Sequence, residues 1–597
     1  MGAFSATSEV VSVTYHANQM FGIVMKKFLI ALMLAIFTTM GTLLLPSIAY
    51  AQSSQVTQPT PSTPSTALKK RSPKPQTSKA LYTRYSINTP EGQKALKSLE
   101  AAFKILRDNG CEQPASWYYQ GAIHWVPNFS NFKNQNTVCQ KYTQAAFNDP
   151  QQKAEVEKLI AAWQHCTHFG GEENPPPHSP LTAEYDLHFL PWHRLYIGYL
   201  EKIVRTLSKD DQFAIPYWEY TNPKQTTIAT DFVTPDSSLY TDLRRSSLNR
   251  PGGKVDSIQQ RRIEKDKKNA YKSTTFNNPS GEGDLDFTNL IDRSPHGAMH
   301  VYIGGDVGQA YNPIWQGPSP EGSGLMRDVF TAGFDPIFWV HHSTIDRYWE
   351  SWTQATKIKA TPQDLPLPQE LAPLYTFVDE NGNLVKFNSS QEIINAVYNV
   401  DYKYDKLDPD SQTLIKQPLR TVTGIRTSPT VTVVGAKKNG NNLDELTKIT
   451  VPLTKPLEAT QALPGTSLRS NSEPNQPNIS AKAPLAEGKY VLDVTVSFTK
   501  RPIGNYSVYL NLPRAKTVTE IIGDIDNYYI GAANFFDAHS TDGGTKTFVF
   551  DVTNELNAQW SEIEKGTVED FDVYFISDNP SQTNDIKVES VTLRKLA

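Results

Sequence analysis

Ten of the 12 histidines lie between His124 and His342, most of them in short clusters with helical spacing. A chain that concentrates imidazoles in this way has to bring segments far apart in sequence to one point. His296 and His300 are four residues apart, which on a helix puts both rings on one face, one turn apart, where they can chelate a single ion. His342 stands four residues before Asp346 on a second expected helix, and a carboxylate one turn away can orient a histidine or a neighbouring arginine. A third cluster, His188-Phe189-Leu190-Pro191-Trp192-His193-Arg194, opens another expected helix, with Glu201 two turns on. Upstream lie Ile123-His124-Trp125 and His165-Cys166-Thr167-His168. This many neutral imidazoles without paired thiolates suit copper, zinc or iron. Only 3 cysteines occur, too few for a thiolate-rich structural zinc site, and the zinc-protease pattern with Glu after the first His is absent.

The 597 residues are enough for two or three domains. With 38% hydrophobic and 20% charged residues a packed core is possible and wholesale disorder is excluded. A formal charge of −4 argues against a nucleic-acid or anionic-membrane binder working through bulk charge. Residues 1–51 read as an export signal: Met25-Lys26-Lys27, an apolar run from Phe28 to Leu45, then Ala49-Tyr50-Ala51 before a cleavage point at Gln52. Met25 is a candidate start, and the lack of a twin-arginine pair favours a Sec-type route to periplasm, lumen or exterior. An uncleaved membrane anchor is the other reading of this run. Residues 52–79 form a Pro/Ser/Thr/Gln-rich linker. Exported cysteines can oxidise, so Cys111 and Cys139 are expected to form a disulfide, leaving Cys166 as the odd one.

Helical periodicity runs from about 88 to 108, with Asn109-Gly110 as a stop, and again from Pro150 to Trp163 behind Asp149 as N-cap. Phe189 to Thr206 reads as a third helix with Pro191 in its first turn, and Leu325 to Trp352 contains at least one more. Residues 221–285 are polar and read as long surface loops. The expected architecture over 80–420 is therefore a mainly α domain, a helical bundle. After about 420 the pattern changes. Lys489–Ser497, Tyr506–Leu512, Thr547–Val552 and Asp570–Ile576 alternate apolar and polar residues. Residues 485–597 are expected to form an antiparallel β-sandwich, with 421–484 as connecting segment and linker.

These motifs resemble those of the type-3 copper proteins: tyrosinases, catechol oxidases (polyphenol oxidases) and hemocyanins. Phe189 to Arg194 with Glu201 is similar to the segment at the first copper, and Asp335-Pro336-Ile337-Phe338 through His342 and Asp346 to the signature at the second. Pro295-His296 to His300 with Gly304-Gly305, and Pro216-Tyr217-Trp218-Glu219-Tyr220, complete the family order across about 115–352. The longer members with a β-rich C-terminal domain are the best match.

The resemblance implies a dinuclear centre of two copper ions. His296, His300 and His342 would hold the second ion, with His341 beside them in packing. His193 would hold the first, together with His124 (His165 being the rival). The remaining ligand departs from the pattern, because the position nine residues before His193 is Glu184. His168 is preferred, in a Cys166–His168 thioether, and His188 is the alternative. His178 and His539 are not expected to be ligands. The implied activity is oxidation of o-diphenols to o-quinones with reduction of dioxygen, and monophenol hydroxylation is open. Asp292 and Gly297 stand where the family has a Glu and an Asn proposed to hold a water, so Asp292 is a possible water-holding carboxylate. Gly297 and Val301 would flank the pocket, and Phe338 would pack against ligand imidazoles. The implied partners are a phenolic small molecule and dioxygen, with no nucleic acid and no membrane contact beyond the signal segment. The C-terminal domain would shield the site, and Tyr506 or Tyr509 are candidates to enter it. The alternatives are a hemocyanin-like dioxygen carrier or a catalytically relic binding protein.

Overall fold

Thr89 opens the first long helix, α1 (Pro90–Asp108), by accepting a hydrogen bond from the Gly92 amide through its side chain, with Pro90 at the first helical position. Its apolar face, Leu96, Leu99, Ala102, Phe103 and Leu106, is fully buried. Ser116 caps α2 (Trp117–His124) in the same way, and every residue of that helix is buried. The next helix, α3 (Lys153–Gln164), starts three residues later than its periodicity predicts. Asp149 instead closes a short helix, Gln144–Asn148, and spends its carboxylate on the Gln151 amide. The two longest helices, α4 (Phe189–Ser208) and a later one at Ile337–Thr356, each run for 20 residues and end at a lysine with positive φ. The cysteines pair as expected, Cys111 with Cys139.

The structure is a computed structural model that describes residues 82–125, 138–164, 187–277, 285–314, 317–318, 322–367, 375–414, 431–438, 441–458, 489–500, 502, 504–513, 525–536, 543–561, 567–578 and 585–596. The signal and linker readings of 1–79, the Cys166–His168 pair, His165, His178 and His539 lie outside the described residues. All described residues belong to one compact unit, Thr77–Ala597. Among them no helix is long and apolar enough to cross a membrane.

The stretch 221–285 is not wholly loop. It contains α5 (Ser257–Tyr271), capped by Asp256, whose carboxylate accepts from the Ile258 and Gln259 amides. The buried face of α5 carries Gln259, Gln260, Arg262, Ile263, Asp266, Lys267 and Ala270, so its helical period is written in polar residues. A period search on apolar residues misses such a helix. After it come α6 (Ala298–Gly304) and α7 (Ile337–Thr356).

The C-terminal part is one eight-stranded antiparallel sheet. Its strands are β1 (Val431–Lys438), β2 (Leu446–Glu458), β3 (Lys489–Phe498), β4 (Asn505–Leu510), β5 (Tyr529–Asn534), β6 (Gly544–Asp551), β7 (Thr567–Ser577) and β8 (Ile586–Leu596). They run in the order β5-β4-β7-β2-β1-β8-β3-β6. The edge strands come back alongside one another, Gly531 of β5 lying against the Phe550 ring of β6. The sheet is thus nearly a closed barrel around Leu492, Val494, Val496, Val508, Val573, Phe575, Val588 and Val591, where a sandwich was expected. Nor does it begin at 485: β1 and β2 fall in the stretch read as connecting segment.

The polar face of α5 is the seam between helices and barrel. Arg262 pairs with Asp578 at 3.1 Å and donates to the Tyr509 hydroxyl at 2.7 Å. Lys265 pairs with Glu555 at 2.9 Å and donates to the Tyr529 carbonyl at 2.7 Å. Asp266 accepts from the Tyr529 hydroxyl at 2.8 Å and from Ser294 Oγ at 2.5 Å. Burial pushes the Asp266 carboxyl up to about 6 despite these donors and the nearby Arg293 and Lys265. A carboxyl whose value is raised by folding adds stability that is complete below its ordinary value of 3.8 and lost as pH rises through about 6. The full contribution is roughly 3 kcal/mol. Between pH 4 and 7 the denaturant midpoint should therefore fall more steeply in the native protein than in Asp266→Asn. Equal slopes in the two proteins would refute this role.

Candidate metal centre

Five segments converge on one buried cluster of imidazoles. His124 is the last residue of α2 and His193 lies in the first turns of α4, their ring centroids 5.6 Å apart. His296 sits in a wide turn, Asp292–Gly297, where Ser294 is extended, and His300 follows on α6. The expected pairing of these two on one face holds, with ring centroids 4.5 Å apart. His342, from α7, stacks on His193 at 4.2 Å and 8° and lies 5.0 Å from His296. His193 and His342 thereby join the α2–α4 half of the cluster to the α6–α7 half.

Three of the rings are oriented from behind. The Nδ1 atoms of His124, His193 and His300 face the carbonyls of Val329 (3.1 Å), Phe189 (2.8 Å) and Met326 (3.0 Å). A carbonyl only accepts, so the ring proton sits on Nδ1 and the Nε2 lone pair is turned inward. His300 Nε2 and His342 Nε2 stand 3.4 Å apart. Burial, followed by the neighbouring imidazoles, holds His193, His300, His341 and His342 well below the usual histidine value, so they stay neutral at physiological pH. Neutral, buried, inward-facing nitrogens are the donor set that copper, zinc or nickel takes.

Sequence reasoning placed His341 in packing. The structure brings one ring nitrogen of each of His296, His300, His341 and His342 within 4.8 Å of one another. His341 Nδ1 meets the Tyr220 hydroxyl at 3.0 Å, and its buried Nε2 has no hydrogen-bond partner among the described residues. His188, by contrast, caps α4 with both nitrogens occupied, Nδ1 by the Tyr375 hydroxyl at 2.8 Å and Nε2 by the Pro366 carbonyl at 2.9 Å. As placed it offers the cluster no ligand atom, and burial lowers it to about 4. Phe338 is fully buried among the rings, 4.1 Å from His342 and 4.9 Å from His124. Arg194 of α4 and Asp346 of α7 form a buried ion pair at 2.5 Å that ties the two ligand-bearing helices together.

The barrel reaches this cluster, though not through Tyr506 or Tyr509. Tyr506 lies in the barrel core and Tyr509 is held by Arg262 at the seam. Phe536, just beyond β5, stacks on His300 at 4.1 Å and stands edge-on to His296 at 5.6 Å. Two residues earlier, Asn534 occupies the space beside Gly297, where an added Cβ would meet its Oδ1 at 2.7 Å. Gly297 and Val301 are both buried. Nothing local in the sequence distinguishes Phe536 from the other 25 phenylalanines.

Residues 114–289 and 241–355 match the common central domain of tyrosinase. This region is a tyrosinase-family domain. Among curated relatives, aureusidin synthase of Antirrhinum majus is 29% identical over 246 residues, 37% of this chain and 41% of that one. Catechol oxidase B of Solanum tuberosum is 28% identical over 246 residues, 37% of this chain and 38% of that one. The matched stretch thus spans about two fifths of these relatives. Latent apple tyrosinase has the same fold over 88% of this chain and 98% of its own, with a TM-score of 0.52 at 18% identity. Proteins of the tyrosinase family carry a dinuclear copper centre, and the inward-facing imidazoles on α4, α6 and α7 fit that cofactor.

Proposed function

We propose that the chain is a copper-dependent oxidase of o-diphenols, kept latent by its own barrel. The observation that carries this reading is the buried cluster of imidazoles, in which His124, His193 and His300 are turned by backbone carbonyls so that Nε2 faces inward. His124 and His193 would hold the first copper with His168, itself in a thioether with Cys166. His296, His300 and His342 would hold the second. Bound copper would supply the redox chemistry, so that two diphenols and one dioxygen would give two quinones and two waters, four electrons and four protons being transferred in all.

The chain's own groups do the rest. Backbone carbonyls fix the ring tautomers, Phe338 fills the space between the two halves, and Gly297 and Val301 leave room for one phenol ring. Diphenol oxidation is favoured over monophenol hydroxylation because Asp292, the possible water-holding carboxylate, is engaged with His296 at 2.8 Å and Gly297 has no amide to assist it. Phe536 on His300 supports latency, and a cut within 415–430, ahead of β1, would let the barrel leave. Residues 1–51 would serve as a removable targeting segment, which suits a relative of chloroplastic proteins such as catechol oxidase B.

The test is dioxygen uptake on a simple o-diphenol by signal-free protein cut in 415–430, copper-loaded against apo. Copper-dependent uptake is expected. A protein shown to hold two coppers that consumes no dioxygen would instead be a carrier or a relic.

A further inference from the structure

The histidine at the start of the second copper's segment is held differently from its neighbours. His124, His193 and His300 direct Nδ1 at neutral carbonyls, whereas His296 Nδ1 lies 2.8 Å from Asp292 Oδ1 and 3.2 Å from the Asp292 carbonyl. One residue, four positions back, thus brackets the ring nitrogen with both its oxygens. The wide turn Asp292–Gly297, with Ser294 extended at φ −159° and ψ 130°, makes this possible. A longer carboxylate would overshoot an atom already in contact with the main chain of its own residue.

We propose that Asp292 is a positioning residue for the second copper, acting through His296, and not the water-holding carboxylate of a monophenol hydroxylase. The inference rests on the copper reading of the site. A carboxylate accepting the Nδ1 proton locks the ring and pushes electron density toward Nε2, which makes the imidazole a stronger donor. The pair of ions is then unequal: the second has a ligand with anionic support and the first has rings supported by carbonyls. Asp292 Oδ1 is committed to His296, so that oxygen serves the ligand and not a water that would take a phenol proton.

Stepwise copper binding by the intact chain, followed by chelator competition, separates the possibilities. Asp292→Asn keeps an oxygen for the hydrogen bond and removes the charge; Asp292→Ala removes both. Affinity for the more tightly held ion, the one with anionic support, should drop about 10- to 100-fold in Asp292→Ala and by less in Asp292→Asn. Affinity for the other ion and the melting of the apo-protein should be unchanged. Loss of monophenol turnover at unaltered copper affinity would overturn the proposal and restore the water-holding role. Unchanged affinity in both variants with no kinetic effect would also overturn it. If the native protein binds no copper pair at all, it is the functional reading that fails, and that result precedes any comparison of variants.

Discussion

Dioxygen consumption by the intact chain is expected to rise about tenfold or more when Phe536 is replaced by alanine, because observed turnover scales with the fraction of molecules whose site is open. The Phe536 ring lies flat against His300 at 4.1 Å and 19°, in the space a phenol needs to approach that side of the cluster. Asn534, packed beside Gly297, keeps the strand end in place. Truncating Phe536 thus empties the space without undoing the polar seam along α5. The measurement is the ratio of activity after and before cleavage within 415–430, on one o-diphenol, for native and variant chains. The ratio should fall toward unity in Phe536→Ala, and an unchanged ratio would dispose of the plug. Gly297→Leu offers an independent check, since a leucine there meets the Asn534 side chain and displaces it from its place beside the cluster. Its intact chain should hold the barrel more loosely, seen as faster proteolysis in 415–430.

The second large effect concerns stability. Asp346→Ala is expected to cost about 3–5 kcal/mol, a large fraction of the stability of an ordinary domain. Asp346 accepts from Arg194 at 2.5 Å, Arg84 at 2.8 Å, and the Tyr402 and Tyr404 hydroxyls at 2.6 Å each. Burial alone would raise its carboxyl, but Arg194 and Arg84 outweigh burial and hold it below the usual range. Glu201 at 2.8 Å from Arg84 and Glu350 at 3.4 Å from Arg194 remain in the variant, one of them partly exposed, and do not replace a carboxylate shared by both guanidiniums. Removing that carboxylate leaves buried positive charge under-compensated between α4, α7 and the parallel strand pair Tyr82–Arg84 with Tyr402–Tyr404. Urea unfolding of the apo-protein reads the cost directly. A loss below about 1 kcal/mol, the level of a surface ion pair, would show that the network relaxes without its central acceptor.

Much of the metal-centre geometry was legible because helical spacing is a local property. His296 and His300, one turn apart, meet as that spacing requires. The start of α4 is marked by Pro191, and the carboxylate of Asp346 one turn beyond His342 is used as expected, by Arg194. Other features were hidden for physical reasons. The apolar period of α5 is nearly erased because its buried residues include Arg262 and Asp266, which meet the barrel, and Lys267, which pairs with Asp408 and Asp410 of the helical part. Strand β5, Tyr529–Asn534, is buried on both faces and built largely of small residues, so it lacks the alternation that marks β4 or β6. His188 has the right residue type for a ligand and stands at the same helix start as His193, yet Tyr375 and Pro366, far away in sequence, take both its nitrogens.

The sequence by itself determined the chemistry available to this protein: imidazoles without thiolate pairs, placed at one-turn intervals on helices that their own caps and prolines delimit. Hydrogen-bond geometry within a few residues suffices for that. The tertiary structure decided which nitrogens face inward, since Val329 and Met326 fix His124 and His300 from more than 20 residues away. It also decided that a barrel phenylalanine covers them. Those contacts depend on the helical part and the barrel meeting along α5, and packing between stretches distant in sequence leaves no period in either.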